Sequence, residues 1–87
     1  MIKIWSEVAW DDYLYWQEHD LKILARVNEL IKDCERNGYK GLGKPEPLRH
    51  DLSGYWSRRI DDTNRLVYKI SGNNLEIAQC KTHYKKK

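Results

Sequence analysis

The pattern of apolar and polar positions changes its period near the middle of the chain. Before residue 38, apolar residues recur every three to four positions, which is typical of helices that pack by one face. After residue 48 they alternate with polar residues and are rich in β-formers, which is typical of half-buried strands. The pattern predicts an α+β fold: a short N-terminal strand, an antiparallel helical hairpin and then an antiparallel β-meander.

Local signals divide the first half into a strand and two helices. Residues 1–5 alternate and predict a strand, and Ser6 is placed to cap a helix over residues 7–18. Asp20 is placed to cap a second helix, which Gly38 should end. The first helix is aromatic over much of its circumference, so a partner chain is a candidate for covering its second side. The second helix has four polar residues assigned to its solvated face: Asn28, Glu29, Lys32 and Asp33.

Turn residues divide the second half into three strands. Strands are predicted over residues 55–60, 65–70 and 75–81, joined by turns at 61–64 and 71–74. Hairpins this tight imply antiparallel neighbours. The sheet face that packs on the helices should carry Leu66, Tyr68, Ile70, Leu75 and Ile77.

The length and composition of the chain restrict its class. Its 87 residues allow one domain, which buries only about 60–65% of the surface that the unfolded chain exposes. No apolar run approaches the roughly 20 residues that span a bilayer, and residues 2–5 are too short for a secretory signal. Cys34 and Cys80 lack metal-ligand spacing and are predicted to be buried, reduced thiols. We therefore expect a cytoplasmic protein without membrane contact, metal or cofactor.

Charge is distributed unevenly between the two halves. Residues 1–38 carry five Lys/Arg and eight Asp/Glu, a net −3, whereas residues 39–87 carry eleven and five, a net +6. This asymmetry points to an anionic partner for the second half. Within it, Arg58 and Arg59 lie beside Trp56, which is assigned mainly to the core. Because arginines hold phosphates and aromatic faces stack on unpaired bases, the composition favours a nucleic acid.

Glu46 and His83 are a candidate base and acid. Pro45 and Pro47 flank Glu46 and restrict its backbone to extended geometry. Metal-free cleavage of RNA needs a base for the 2′-OH proton, an acid for the departing 5′-oxygen and cations for the phosphorane charge. Histidine, with a pKa of about 6.5, suits the acid. From the residues alone the pairing stays open, because a single Glu and a single His are more often surface residues.

Four segments of the chain are distinctive: IWS…AWDDYLYWQE, KPEPLRHDLSGYWSRRI, RLVY and the closing HY. Together they resemble the YoeB/Txe-type toxins of the RelE/ParE superfamily, over residues 1–84 as one domain, with residues 85–87 as a basic tail. The resemblance implies a RelE-like microbial RNase fold and the toxin of a type II toxin–antitoxin system, an endoribonuclease that cuts mRNA in the ribosomal A site. Implied partners are a cognate antitoxin of the YefM/Axe/Phd type, mRNA, the 70S ribosome and a second toxin chain.

The resemblance also implies roles for individual residues. It places the general base on Glu46, the phosphate-stabilising arginine on Arg65 and the general acid on His83. The implied reaction needs no metal and leaves a 2′,3′-cyclic phosphate and a 5′-OH. Residues that contact substrate are expected to be Lys44, Arg49, Arg59 and Tyr84.

Strict alternation along the last strand conflicts with this site. Counting from Leu75 and Ile77 places His83 on the parity that faces the core, whereas Arg65 lies on the opposite parity. We therefore expect the last strand to bulge or end near residues 81–82, ahead of His83.

Three other functions remain open at this level. One is a gyrase-poisoning, ParE-like toxin of the same superfamily, a class that lacks this acid–base pair. The others are a non-catalytic nucleic-acid-binding module, which would not need Glu46, and a scaffold whose aromatic helix only binds a partner.

Overall fold

A computed structural model describes residues 1–82 of the chain. The elements, in chain order, are β1 (Ile2–Trp5), α1 (Glu7–His19), α2 (Leu21–Asn37), β2 (Glu46–Pro47), β3 (Trp56–Arg59), β4 (Arg65–Ser71) and β5 (Asn74–Gln79). A single 3₁₀ turn, His50–Leu52, lies between β2 and β3 and was not predicted. The other elements confirm the predicted α+β order.

The strands form one five-stranded sheet in the order β1-β5-β4-β3-β2. The pairs β2–β3, β3–β4 and β4–β5 are antiparallel, as predicted for the meander. Two features go beyond the prediction: β1 pairs with β5 in parallel, and β2 adds a two-residue strand at the other edge. The sheet is therefore mixed.

Side-chain caps fix the ends of both helices. The Ser6 hydroxyl accepts a hydrogen bond from the amide of Ala9, and Asp20 accepts from the amides that open α2. Gly38 ends α2 with a φ of 67°, a conformation that favours glycine. Because Asp20 alone connects α1 to α2, the two helices pack as a hairpin, as predicted. No helix within residues 1–82 is long and apolar enough to span a membrane.

The hydrophobic core lies between the two helices and one face of the sheet. Its sheet side includes the five residues predicted to share that face: Leu66, Tyr68, Ile70, Leu75 and Ile77. Trp56 packs against this core and stacks on Tyr39 with ring centroids 4.5 Å apart, which confirms its assignment. Cys34 and Cys80 are free and buried, and burial raises their pKa values to about 11 and about 12, so both are protonated near neutrality.

Two sequence assignments are wrong because Arg58 and Asp33 form a buried ion pair. The sequence pattern predicts that Asp33 lies on the solvated face of α2 and that Arg58 holds an anion, but both side chains are buried and paired with each other. The Arg58 side chain is fully buried on the helix side of β3. A residue of this kind cannot reach a ligand on the sheet surface. Its charge is satisfied inside the fold.

The loop after α2 folds around this buried guanidinium. Arg58 donates to the carbonyl oxygens of Gly38, Lys40 and Leu42 at 2.6–3.0 Å and to the Tyr68 hydroxyl at 3.0 Å. The hydrogen bond from Arg58 is the largest of the interactions that lower the pKa of the Asp33 carboxyl. A Cβ atom at Gly41 would collide with the Asp33 carboxylate, so glycine at this position of the loop serves the buried ion pair.

The predicted irregularity of the last strand is confirmed, although it lies earlier than expected. Val67 pairs with Gln79 but Tyr68 pairs with Ile77, so Ala78 is an unpaired extra residue, and β5 ends at Gln79. Before the bulge the odd-numbered residues of β5, Leu75 and Ile77, face the helices. After it the even-numbered Cys80, rather than Gln79, joins the core.

Candidate active site

Three of the candidate site residues, Glu46, Arg59 and Arg65, lie on the face of the sheet opposite the helices. We call this surface the outer face; the residues on it that matter here are Glu46, Ser57, Arg59, Arg65 and Val67. The alternation of side chains along a strand explains this grouping. In β3, Trp56 and Arg58 face the core, so Ser57 and Arg59 face the opposite side of the sheet. The cross-strand register aligns Glu46 with Ser57, and Arg59 with Arg65.

Glu46 and Arg65 meet at this face from strands that are not neighbours. Glu46 Oε1 lies 3.9 Å from Arg65 Nη1, and the two side chains are 55% and 17% exposed. The two prolines hold Glu46 in the short strand β2, as their φ restriction predicted. At this distance and exposure the pair is weak, so both groups can be redirected to a ligand.

Arg59 and Lys44 lie at the same edge of the sheet. The amide of Arg59 donates to the carbonyl of Gly43 at 2.7 Å, which ties the end of β3 to the residue before Lys44. Gly43 and Lys44 both have positive φ, 79° and 51°, so the chain turns sharply before it enters β2. Arg59 and Lys44 are exposed, and they add positive charge beside Glu46 and Arg65.

Arg49 is not joined to this group. It is exposed and precedes the 3₁₀ turn, and no hydrogen bond or ion pair within residues 1–82 connects it to Glu46, Arg59 or Arg65. His83 and Tyr84, the remaining site residues, lie outside the described residues. The structure therefore brings together Glu46, Arg59 and Arg65, with Lys44 at their edge.

The chain segment that precedes His83 is held by α1, a feature that sequence reasoning missed. Asp12 Oδ2 accepts from the amide of Cys80 at 2.9 Å, and Trp16 Nε1 donates to the carbonyl of Cys80 at 2.7 Å. Both polar groups of this peptide are thus satisfied just after β5 ends. Helical periodicity does not predict these contacts, because it shows only that Asp12 and Trp16 lie on the buried face of α1 and not which groups they bind.

Replacing Trp16 with phenylalanine should lower the free energy of unfolding by about 1–3 kcal/mol, because the buried Cys80 carbonyl would lose its donor. Urea unfolding followed by circular dichroism measures this change. Trp10→Phe is the matched control, because Trp10 is 46% exposed and should change stability by less than about 1 kcal/mol. Equal effects of the two substitutions would contradict the proposed hold on Cys80.

The arrangement on the outer face suits acid–base chemistry on an anion. An exposed carboxylate can accept a proton while neighbouring guanidinium groups hold negative charge. Among residues 1–82, no group of three or more His, Cys, Asp or Glu side chains is arranged to hold a metal ion.

Comparison with known proteins agrees with this fold. Residues 5–84 match the model of the YoeB-like toxins of bacterial type II toxin–antitoxin systems. The chain is 59% identical to toxin YoeB of Escherichia coli K12 over 81 residues, which is 93% of this chain and 96% of the relative.

Solved structures of this kind superpose closely on the chain. A YoeB/ParE toxin from Agrobacterium tumefaciens is 46% identical with a TM-score of 0.93, and the alignment covers 97% of this chain and all of the other. A YoeB–YefM complex and a YoeB dimer, both from Staphylococcus aureus, contain chains that are 45% and 46% identical, with TM-scores of 0.91 and 0.90. Each alignment covers 97% of this chain and 98% of the other.

Proposed function

Since the chain belongs to the YoeB-like toxins of bacterial type II toxin–antitoxin systems, we propose that it is an endoribonuclease that cuts mRNA in the A site of the translating ribosome. The observation that supports this function best is the meeting of Glu46 and Arg65 on the outer face. It offers a base candidate and a phosphate-binding cation 3.9 Å apart, on a surface that a nucleic acid can reach.

The proposed reaction is an attack of the ribose 2′-oxygen on the adjacent phosphate. Glu46 takes the proton of the 2′-OH while the O2′–P bond forms, and Arg65 moves from the carboxylate to the phosphate oxygens, whose charge grows in the transition state. The P–O5′ bond then breaks, and His83 supplies the proton to the leaving 5′-oxygen. The products are a 2′,3′-cyclic phosphate and a 5′-OH, and the step needs no metal.

The remaining basic residues would bind the message. Arg59, directly opposite Arg65, lies nearest to the reacting phosphate, and Lys44 extends the positive charge along the edge. Arg49 and Tyr84 are proposed to contact flanking nucleotides. Contacts of this type fix the register of an RNA without selecting its sequence.

We propose that this toxin acts in the cytoplasm and that its protein partners are those of its relatives. The Staphylococcus aureus protein forms a complex with YefM and also a dimer. A YefM-type antitoxin and a second copy are therefore proposed to bind this chain, and the antitoxin neutralises it. The apolar residues that α1 leaves exposed are candidates for such contacts: Val8, Trp10, Leu14 and Tyr15.

A cell-free translation reaction tests the dependence on the ribosome. Adding the protein should cleave a message only where it is being translated, and blocking initiation should protect that message. Equal cleavage of translated and untranslated RNA would contradict the proposed function, and so would inhibition of translation with an intact message.

Replacing Arg65 with alanine should slow single-turnover cleavage by about 10²- to 10³-fold, because the variant loses a preorganised cation for transition-state charge. The fold should be retained, since Arg65 lies on the outer face and the ion pair that it makes within residues 1–82 is the weak 3.9 Å contact with Glu46. The control is Lys69→Ala, which removes a cation from the same face of β4. A similar loss of rate in both variants would indicate only general attraction of RNA.

A further inference from the structure

Ser57 is a buried polar residue in the middle of the outer face, and its hydroxyl has no hydrogen-bond partner among residues 1–82. It lies on β3 directly opposite Glu46 on one side and Val67 on the other. The residue is 0% exposed, and its Oγ makes no hydrogen bond within the part of the chain that the structure describes. The hydroxyl therefore lies beneath the candidate site, next to the strand that carries the base.

An unsatisfied hydroxyl at this position needs an explanation. Buried polar groups in folded proteins nearly always have a hydrogen-bond partner, because losing contact with water without gaining a bond destabilises the folded state. An apolar side chain would avoid this cost, as Val67 does at the paired position of β4. A group that is unsatisfied in the free protein can be satisfied in another state of the site.

Glu46 is the acceptor that the geometry brings within reach. Residues directly opposite each other in an antiparallel pair have Cβ atoms about 4.5–5.5 Å apart. The Glu46 side chain is more than half exposed, and among residues 1–82 its one ion pair is the 3.9 Å contact with Arg65. A rotamer change can therefore bring the Glu46 carboxylate towards Ser57 on the neighbouring strand. Ser57 itself is held in place because β3 pairs with β2 on one side and with β4 on the other.

We propose that Ser57 is a positioning residue for the catalytic carboxylate: its hydroxyl donates a hydrogen bond to Glu46 once substrate phosphate draws Arg65 away. This inference rests on the proposed function and adds a residue that orients the general base. In the structure Arg65 lies 3.9 Å from Glu46, and Ser57 has no hydrogen-bond partner in the described part of the chain. In the engaged site Arg65 binds the phosphate, Ser57 holds one carboxylate oxygen, and the other oxygen is presented to the 2′-OH.

The Ser57→Ala variant separates this role from a structural one. Because the hydroxyl makes no hydrogen bond to any described residue, its removal should leave the melting temperature unchanged or higher. Single-turnover cleavage on mRNA-programmed ribosomes at saturating protein should fall about 10- to 100-fold, in the range of a hydrogen bond to a charged group. The protein concentration that gives half-saturation should not change. The conservative variant Ser57→Thr keeps the hydroxyl and should recover most of the rate.

A double-mutant cycle tests whether Ser57 acts through Glu46. In a Glu46→Gln background, Ser57→Ala should have an effect of less than about twofold, because residues that act as one unit are not additive. An undiminished effect in that background would overturn the proposal. It would also be overturned by a normal rate for Ser57→Ala, or by a large loss of stability in that variant.

Failure of this inference can be distinguished from failure of the proposed function. If Glu46→Gln lowers the rate strongly and Ser57→Ala does not, the endonuclease remains and only the positioning role is lost. If the wild-type protein does not cleave, or Glu46→Gln cleaves at the full rate, both proposals are wrong.

Discussion

Replacing Glu46 with alanine is expected to lower the rate of ribosome-dependent cleavage by about 10²- to 10⁴-fold, the usual contribution of a positioned general base. The effect should be on chemistry, because the fold does not depend on this side chain. Glu46 is 55% exposed, and its only ion pair within residues 1–82 is the 3.9 Å contact with Arg65. Single-turnover rates, together with the melting temperature of the variant, measure the two consequences separately.

Glu76→Ala is the matched control for this variant. Glu76 also presents a carboxylate on the outer face, beside Lys69, but it lies on β5, away from Arg59 and Arg65. Its removal should leave the rate within about twofold of the wild type. A fully active Glu46→Ala variant would instead favour a non-catalytic nucleic-acid-binding module, since such a module does not need the carboxylate.

Replacing Arg58 with methionine is expected to lower the free energy of unfolding by about 3–5 kcal/mol, because it leaves the Asp33 carboxylate buried without its partner. It also removes the donor to the carbonyls of the loop after α2. A small domain has a total stability of about 5–15 kcal/mol, so the substitution should remove a large part of it. Chemical denaturation measures the change.

Arg59→Met is the control for this loss of stability, because it removes a neighbouring arginine that is exposed on the other face of the same strand. It should change the free energy of unfolding by less than about 0.5 kcal/mol. Similar stability of the two variants would show that the Arg58–Asp33 pair does not hold the loop. The two variants therefore compare the loss of a buried, paired arginine with the loss of an exposed arginine.

The same ion pair predicts a dependence of stability on pH. The pKa of Asp33 is lowered in the folded state, chiefly by its hydrogen bond from Arg58. A lowered pKa means that the stabilisation is complete above about pH 4 and is lost as the pH falls through the folded-state pKa. Removing the carboxylate in Asp33→Asn should reduce this part of the acid sensitivity.

Local signals were sufficient to predict most of the fold. Ser6, Asp20 and Gly38 have side chains or backbone freedom that specify helix ends by contacts within a few residues. The tight turns of the meander specify antiparallel partners for the same reason. By contrast, the parallel pairing of β1 with β5 joins residues about 70 positions apart, and no local pattern encodes it.

Sequence patterns could not predict which side chains contact each other. Asp33 and Arg58 look like surface charges, and only tertiary packing makes them a buried pair. Alternation could place Arg59 and Arg65 on predicted strands, but it predicted no strand at Glu46, and the proximity of the three residues depends on the sheet register. The bulge at Ala78 and the hydrogen bonds from α1 to the Cys80 peptide lie nearer to the start of β5 than the irregularity that alternation predicted, because both depend on tertiary contacts.

The most direct test of the proposed endonuclease is the position and chemistry of the cut on a purified ribosome that holds a defined codon in its A site. The wild-type protein should cut within that codon and leave a 2′,3′-cyclic phosphate and a 5′-OH, and Glu46→Ala should leave the message intact on the same timescale. A message that stays uncut with the wild type, or products with a 3′-OH and a 5′-phosphate, would contradict the account.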